Sequence, residues 1–273
     1  MSSPSKDGVA VFGVGAITPL GRSLPEIARR LADAPTMPDP RRVSEELLSD
    51  PSLSRNLRRA DRFTRMAVMA ATDAWKAAEK WLEGIAPERV GIILSSGLGP
   101  HCRGFKFLDG MLEEGDSAAS PTDFSHSVHG AACAYITALL DIRGPSLTLT
   151  DFEEGFEQAV MLAQTWLNQG ACDRVLLGAV EELGEVLLHC MDRILGEPSQ
   201  IAPGEGAMFL LLGPAKSTGQ LTHLDPNAIA QVDLANLQTT KPDALLRSFG
   251  YSSSAAGFRW LSATVNSIAP KTD

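Results

Sequence analysis

The segment "GPSLTLTDFEEGFEQAVMLAQTWLNQG", residues 144–170, decides the fold. The alternating Leu and Thr residues of "SLTLT" are typical of a β-strand, and the apolar residues after Gly155 recur at the spacing of an amphipathic helix. The pattern therefore predicts a strand, a sharp turn and a helix over 155–169. In many enzymes a nucleophile occupies this kind of turn. Here the turn "TDFEEG" contains neither cysteine nor serine.

Strand and helix patterns alternate along the rest of the chain. Continuous apolar runs predict buried strands within 9–21, 89–97, 173–183 and 204–214, and helical spacing predicts helices within 24–32, 62–82, 99–115 and 120–144. Weaker patterns mark candidate strands at 220–225 and 228–236 and a Gly/Ala-rich helix at 254–268. This alternation predicts an α/β layered fold with a largely parallel sheet. The small residues of 120–144 favour close packing, often against a partner subunit.

Composition restricts the class of protein. A chain of 273 residues with 44% hydrophobic and 21% charged residues is typical of a globular protein that buries a substantial core. The net charge of -9 disfavours binding to nucleic acid or to an anionic membrane. No apolar run has the length of a membrane span, and the first residues lack the pattern of a signal peptide. We therefore expect a cytoplasmic protein with reduced, structural cysteines.

Six motifs follow one another across residues 9–214, namely "VAVFGVGAITPLG", "ADRFTRMAVMAATDAW", "VGIILSSGLG", "RGPSLTLT" with its following glycine, "NQGACDRVLLGAVEEL" and "PGEGAMFLLL". Together they resemble the β-ketoacyl synthases of the thiolase fold. A further segment, "PTDFSHSVHGAA", resembles the ketosynthase-like proteins called chain-length factors. The resemblance implies a thiolase-like layered αβαβα fold. Residues 1–214 would form a complete ketosynthase-like N-terminal half, and residues 215–273 a shortened C-terminal half of the same compact domain.

The resemblance also implies that the catalytic residues are missing. Active relatives carry Thr-Ala-Cys-Ala-Ser-Gly at the turn. That cysteine aligns with Glu153 when counted from Gly144 and with Phe152 when counted from Gly155. The two histidines that such enzymes use for decarboxylation align with Gln238 and Tyr251. A synthase without these groups lacks the unit that carries out the condensation.

The first functional hypothesis follows from this loss. The chain would be a catalytically silent subunit of the chain-length-factor type. It would form a heterodimer with an active β-ketoacyl-ACP synthase in polyketide or fatty-acid-type chain elongation, and it would shape the acyl tunnel of that partner. An acyl carrier protein would be reached through the partner, and no cofactor is expected. Candidate tunnel and interface residues are Phe124, His129, Tyr135, Phe152 and Phe156.

Three alternatives rest on other residues. The chain could be an enzyme with altered chemistry, a decarboxylase or acyltransferase on acyl thioesters, that uses Glu153 or Cys133 with His129. His126 and His129 would share one helix face, but no third ligand is evident in the sequence, and we expect no metal there. A third possibility is a docking module whose arginines meet an acidic carrier protein. These arginines are Arg58, Arg59, Arg62 and Arg65.

Overall fold

The elements of the structure follow the predicted alternation. The computed structural model describes residues 9–33, 42–151, 155–195 and 204–214. Its strands are β1 (Val9–Ile17), β2 (Val90–Ser96), β3 (Ser146–Thr150), β4 (Arg174–Glu181) and β5 (Gly206–Pro214). Its helices are α1 (Leu24–Asp33), α2 (Arg62–Ala77), α3 (His101–Glu114), α4 (Pro121–Ser127), α5 (Ala131–Leu140), α6 (Gly155–Asn168) and α7 (Glu185–Leu195).

The five strands form one sheet in the order β1-β5-β4-β2-β3. Strands β4, β2 and β3 run parallel, whereas β5 runs antiparallel to both of its neighbours. The predicted α/β class is confirmed, but the sheet is mixed at β5. An apolar run specifies a buried strand without specifying its direction, so the sequence pattern did not reveal this reversal.

Helices cover both faces of the sheet. Helices α2 and α5 share one apolar cluster with residues of β2 and β5, and α6 packs into a second cluster with other residues of the same strands. Strands β2 and β4 are buried along their whole length because helices lie on both sides of them. The sheet therefore gives the loops at its ends a rigid support.

Strand β1 packs directly against the backbone of α2. A Cβ atom at Gly15 would lie 2.1 Å from the Ala70 carbonyl oxygen, and one at Gly13 would lie 2.2 Å from that of Ala74. Neither carbonyl can move aside without separating the helix from the strand. The glycines in "FGVGA" thus permit a close strand–helix contact.

Replacing Gly15 by alanine is expected to lower the free energy of unfolding by about 1–3 kcal/mol, because the added methyl group overpacks this contact. Gly104→Ala is the matched control. Gly104 lies in α3 with no atom within 4 Å of an added Cβ, so the same change should stabilise the protein by about 0.5–1 kcal/mol. Urea unfolding of both variants measures the difference, and equal stabilities would show that the β1–α2 contact tolerates a side chain.

Two helix predictions need correction. The predicted helix 62–82 ends at Ala77 and continues as a short 3-10 turn, Glu79–Trp81. The predicted helix 120–144 consists of two helices, α4 and α5, separated by residues 128–130. Helix α7 was not predicted.

Other predictions lie outside the described residues. The segments 220–225, 228–236 and 254–268, and with them the proposed division at residue 214, stay predictions. Within the described ranges, no helix combines the length and the apolarity that a bilayer crossing requires.

Candidate functional site

The candidate site lies where the parallel strands β2, β3 and β4 end. Their carboxyl ends meet at one edge of the sheet, which is the usual position of ligand sites in open α/β sheets. Five polar residues lie at this edge, namely Ser95, Ser96, Asp151, Glu181 and Glu182. Most of these polar groups are buried, so their contacts determine the chemistry available.

Strand β3 is followed by helix α6, as predicted. The backbone N–H of Asp151 donates to the Ser96 carbonyl at 3.3 Å. Helix α6 begins at the buried Gly155, where a Cβ atom would lie 2.9 Å from Ser95 Oγ. The helix start is therefore held tightly against β2. Phe152 and Glu153 lie outside the described residues, and the choice between them for the nucleophile position stays open.

Glu181 connects the ends of β4 and β2. Its carboxylate accepts hydrogen bonds from the backbone N–H of Gly97 at 2.5 Å and from Ser96 Oγ at 3.3 Å. Ser96 Oγ in turn accepts the N–H of Gly99 at 2.8 Å. Glu181 is thus a buried structural carboxylate that shapes the loop after β2.

Glu205 forms a second buried carboxylate site together with Arg62. The fully buried Glu205 accepts the backbone N–H groups of Val43 at 2.8 Å and Leu183 at 3.1 Å, and Arg62 Nε at 3.1 Å. Burial favours the neutral guanidine, but the hydrogen bond and charge of Glu205, together with Glu45, outweigh it and raise the pKa of Arg62. Glu205 thus connects to Val43, Arg62 and Leu183, which are 162, 143 and 22 residues away in the sequence.

The internal role of Arg62 corrects the docking hypothesis. Arg62 is engaged by Glu205, and Arg65 donates to the Leu48 carbonyl at 2.7 Å. Arg58 and Arg59 are exposed. A carrier-binding surface built on these four arginines would therefore reduce to Arg58 and Arg59.

His101, Cys102 and Glu182 form a compact cluster beside Glu181. One ligand atom from each lies within 4.8 Å of the others. Cys102 N–H donates to Glu182 Oε1 at 2.9 Å, and His101 Nδ1 lies 3.3 Å from the Gly99 carbonyl oxygen. Sequence reasoning missed this cluster, because its members come from the start of α3 and the end of β4.

Burial sets the protonation of the cluster. It lowers the pKa of His101, so that the imidazole is neutral near pH 7. Burial, together with the charge of Glu182, raises the pKa of the Cys102 thiol to about 12. Burial likewise raises the pKa of Glu182 to about 7, although the N–H of Cys102 opposes it. Cys102 is therefore a thiol rather than a thiolate nucleophile in the metal-free protein.

His126 and His129 do not share a helix face. His126 lies near the end of α4, where its Nδ1 contacts the Thr122 carbonyl at 2.8 Å and its Nε2 contacts Tyr135 Oη at 2.9 Å. His129 lies between α4 and α5, with its ring against Gly99, whose φ is +62°. The prediction that the two side chains sit on one helix is wrong because the helix breaks between them.

Cys133 is a core residue. Its side chain is buried in the cluster beneath α5, and Thr148 Oγ1 donates to its Sγ at 3.4 Å. Burial raises the pKa of this thiol. His129 precedes α5 rather than lying within it, so the predicted one-turn spacing on a helix is absent.

The tunnel and interface candidates occupy three different environments. Phe124 on α4 is 55% exposed, whereas Phe156 at the start of α6 is fully buried in the core. Tyr135 on α5 borders a cavity of about 410 Å³, here called the α5 cavity. The cavity is lined by Asn56, Leu57, Val68, Ala134, Tyr135, Ala138 and Leu139.

An apolar surface near the sheet edge includes the predicted interface candidate Phe124, and its other members were not predicted. Strand β3 is an outer strand of the sheet, and its Leu147 is 40% exposed. Phe124 and Val128 are also exposed, and Phe124 contacts Phe107 of α3 with 5.5 Å between ring centroids. Helix α3 adds the exposed side chains Phe105, Leu108 and Leu112. The spacing of these residues in "FKFLDGML" was the available signal, since it forms an apolar helix stripe.

Residues 42–230 match the family model described as "Beta-ketoacyl synthase, N-terminal domain". The chain belongs to this β-ketoacyl synthase family. A curated relative, the 3-oxoacyl-[acyl-carrier-protein] synthase 2 of Coxiella burnetii (strain RSA 493 / Nine Mile phase I), is 24% identical over 160 residues. That match covers 53% of this chain and 38% of the Coxiella synthase.

Solved ketosynthases share the fold. One is the AntDE:AntF structure, a type II polyketide synthase acyl carrier protein in complex with its ketosynthase bound to the hexaketide. It aligns with a TM-score of 0.67 and 23% identity, and the alignment covers 77% of this chain and 63% of the solved chain. The complex of the ketosynthase ApeO with its chain length factor ApeC from Xenorhabdus doucetiae aligns with a TM-score of 0.64 and 20% identity, covering 80% and 60%. The predicted thiolase-like α/β fold is thereby confirmed. The chain spans less than two thirds of each of these relatives.

Proposed function

We propose that this chain is a catalytically silent ketosynthase-like subunit that pairs with an active β-ketoacyl-ACP synthase and shapes its acyl tunnel. One observation carries the proposal. Helix α6 begins at Gly155, which packs tightly against Ser95 of β2, although residues 151–155, "DFEEG", contain no thiol or serine hydroxyl. A helix start that packs this closely on β2, with no nucleophile in the sequence before it, is suited to packing and pairing rather than to acyl transfer.

The outer strand supports pairing. Among the residues that the structure describes, strand β3 has a neighbouring strand on one side only, and an open strand edge is a template for another chain. Exposed apolar residues accompany it, namely Leu147, Phe124 and Val128. A partner of the same fold would cover both the backbone groups and these side chains. The Xenorhabdus structure is itself a complex of a ketosynthase with its chain length factor.

The environment of Cys133 supports catalytic silence. A nucleophilic thiol needs a lowered pKa and access for the substrate. Cys133 is buried and its pKa is raised by that burial. The altered-chemistry alternative therefore rests on Glu153 alone.

The test compares condensation by an active synthase with and without this chain. We expect condensation to require the chain and to be unchanged by Glu153→Ala, because a silent subunit takes no part in acyl transfer. Loss of condensation in the Glu153→Ala variant, with the complex intact, would instead establish the altered-chemistry alternative. A carrier protein would reach the complex through the active partner.

Tyr135 tests the tunnel part of the proposal. Replacing Tyr135 by alanine enlarges the α5 cavity, and we expect the complex to release longer products. Tyr135→Phe is the matched control, because it removes only the hydroxyl contact with His126 and keeps the ring. Product lengths measured by mass spectrometry should shift for alanine and not for phenylalanine. An unchanged distribution for Tyr135→Ala, and for Phe152→Ala, would remove these residues from the gate.

A further inference from the structure

We propose that His101, Cys102 and Glu182 form a binding site for one divalent transition-metal ion, with Zn²⁺ as the best match. A ring nitrogen, a sulfur and a carboxylate oxygen already lie within 4.8 Å of one another. Tetrahedral zinc with bonds of about 2.0–2.3 Å brings its ligands to separations of about 3.5 Å. Small side-chain rotations therefore close the site around the ion.

His101 has the arrangement of a metal-binding histidine. Its Nδ1 lies 3.3 Å from the Gly99 carbonyl oxygen, which assigns the N–H to Nδ1 and leaves the lone pair on Nε2. The side chain is 9% exposed, and its buried Nε2 has no hydrogen-bond partner. Buried polar atoms without partners are rare in folded proteins. A metal ion would give this nitrogen its missing partner.

Cys102 Sγ and His101 Nε2 face the same point. A Cβ atom at Gly184 would lie 2.6 Å from Cys102 Sγ and 2.8 Å from His101 Nε2. Both donor atoms therefore converge next to the Gly184 backbone. Glu182, two residues before Gly184, lies beside the same ring. Its Oε1 is 3.9 Å from His101 Nδ1, so its carboxylate has to rotate toward Nε2 to complete the site.

The donor set favours a borderline-soft ion. A thiolate and an imidazole suit zinc, whereas Ca²⁺ and Mg²⁺ require oxygen ligands. On binding, the Cys102 thiol releases its proton to solvent, as does Glu182 where it is protonated, and the neutral imidazole of His101 binds through its lone pair. Three protein ligands leave a fourth position for a water molecule.

Cobalt substitution tests the site on the full chain. The protein is freed of metal with a chelator and titrated with Co²⁺ alone, then with Zn²⁺ in competition. We expect one equivalent of Co²⁺ to give a sulfur-to-cobalt charge-transfer band and intense tetrahedral d–d bands, both abolished by Zn²⁺. Cys102→Ser should remove the charge-transfer band and weaken zinc binding by more than about 100-fold, beyond the effect of removing a group that only hydrogen-bonds to a ligand.

Two further variants make the result specific. Cys190→Ser is the control, because Cys190 is exposed and adjacent to the exposed His189, and it should leave the spectrum unchanged. Gly184→Ala keeps all three ligands but displaces two of them, and it should abolish stoichiometric binding. Absence of binding by the unmodified chain, or an unchanged spectrum in Cys102→Ser or Gly184→Ala, would overturn the proposal. The titration needs no synthase partner, so its result is independent of the proposed function.

Discussion

Replacing Arg62 by methionine is expected to lower the free energy of unfolding by about 3 kcal/mol. The change leaves the fully buried Glu205 carboxylate with the backbone N–H groups of Val43 and Leu183 but without its counter-charge. Removing one partner of a buried pair costs about 3–5 kcal/mol. We place the loss at the low end because Arg62 keeps 21% of its side chain exposed and because the two backbone donors remain. Urea unfolding followed by circular dichroism measures the change.

Two comparisons separate the loss of charge from the loss of packing. Arg59→Met, at an exposed position three residues away, should change stability by less than about 0.5 kcal/mol. The double variant Arg62→Met with Glu205→Gln should recover part of the loss, since it removes the unpaired charge and keeps an acceptor for the backbone donors. A double variant no more stable than Arg62→Met would contradict the electrostatic explanation.

Replacing Leu147 by lysine is expected to weaken the complex with the active synthase by at least about 100-fold, equivalent to about 2.7 kcal/mol. Leu147 lies on the outer strand β3, where the proposed partner would bury it. Lysine on an outer strand is a common device against strand pairing, because its ammonium group must stay in water. Titration calorimetry or surface plasmon resonance with the purified partner measures the affinity.

Val186→Lys is the matched control for Leu147→Lys. Val186 is 45% exposed and Leu147 is 40% exposed, so the two changes remove similar apolar surface. Val186 lies in α7, which follows β4, and β2 separates β4 from the outer strand β3. Equal effects of the two substitutions on affinity would place the partner elsewhere on the chain.

The sequence predicted those helices and strands whose boundaries are marked by residues within the element or next to it. The helix start at Gly155 follows from the change in apolar spacing after "SLTLT", and Ser120 caps α4 through the N–H of Asp123 at 3.2 Å. The break at residues 128–130 was missed because alanine-rich neighbours favour a continuous helix and a single glycine is tolerated within one. The ring of His129 packs against Gly99, a contact that the pattern of residues 120–144 does not contain.

The site depends on contacts that sequence spacing cannot show. Arg62 and Glu205 are 143 residues apart, and Cys102 and Glu182 are 80 apart. The sheet order, with β5 inserted between β1 and β4, brings these segments together. The absence of a thiol in the turn before α6 was readable from the sequence, because strand, turn and helix are consecutive there. The cluster of His101, Cys102 and Glu182 could be recognised only once the fold was known.

Light scattering on this chain co-purified with an active β-ketoacyl synthase tests the silent-partner function most directly. We expect the mass of a one-to-one complex, with condensing activity that requires both chains and survives Glu153→Ala. A chain that remains a homodimer beside the synthase, and that condenses acyl thioesters alone, would contradict the proposed function.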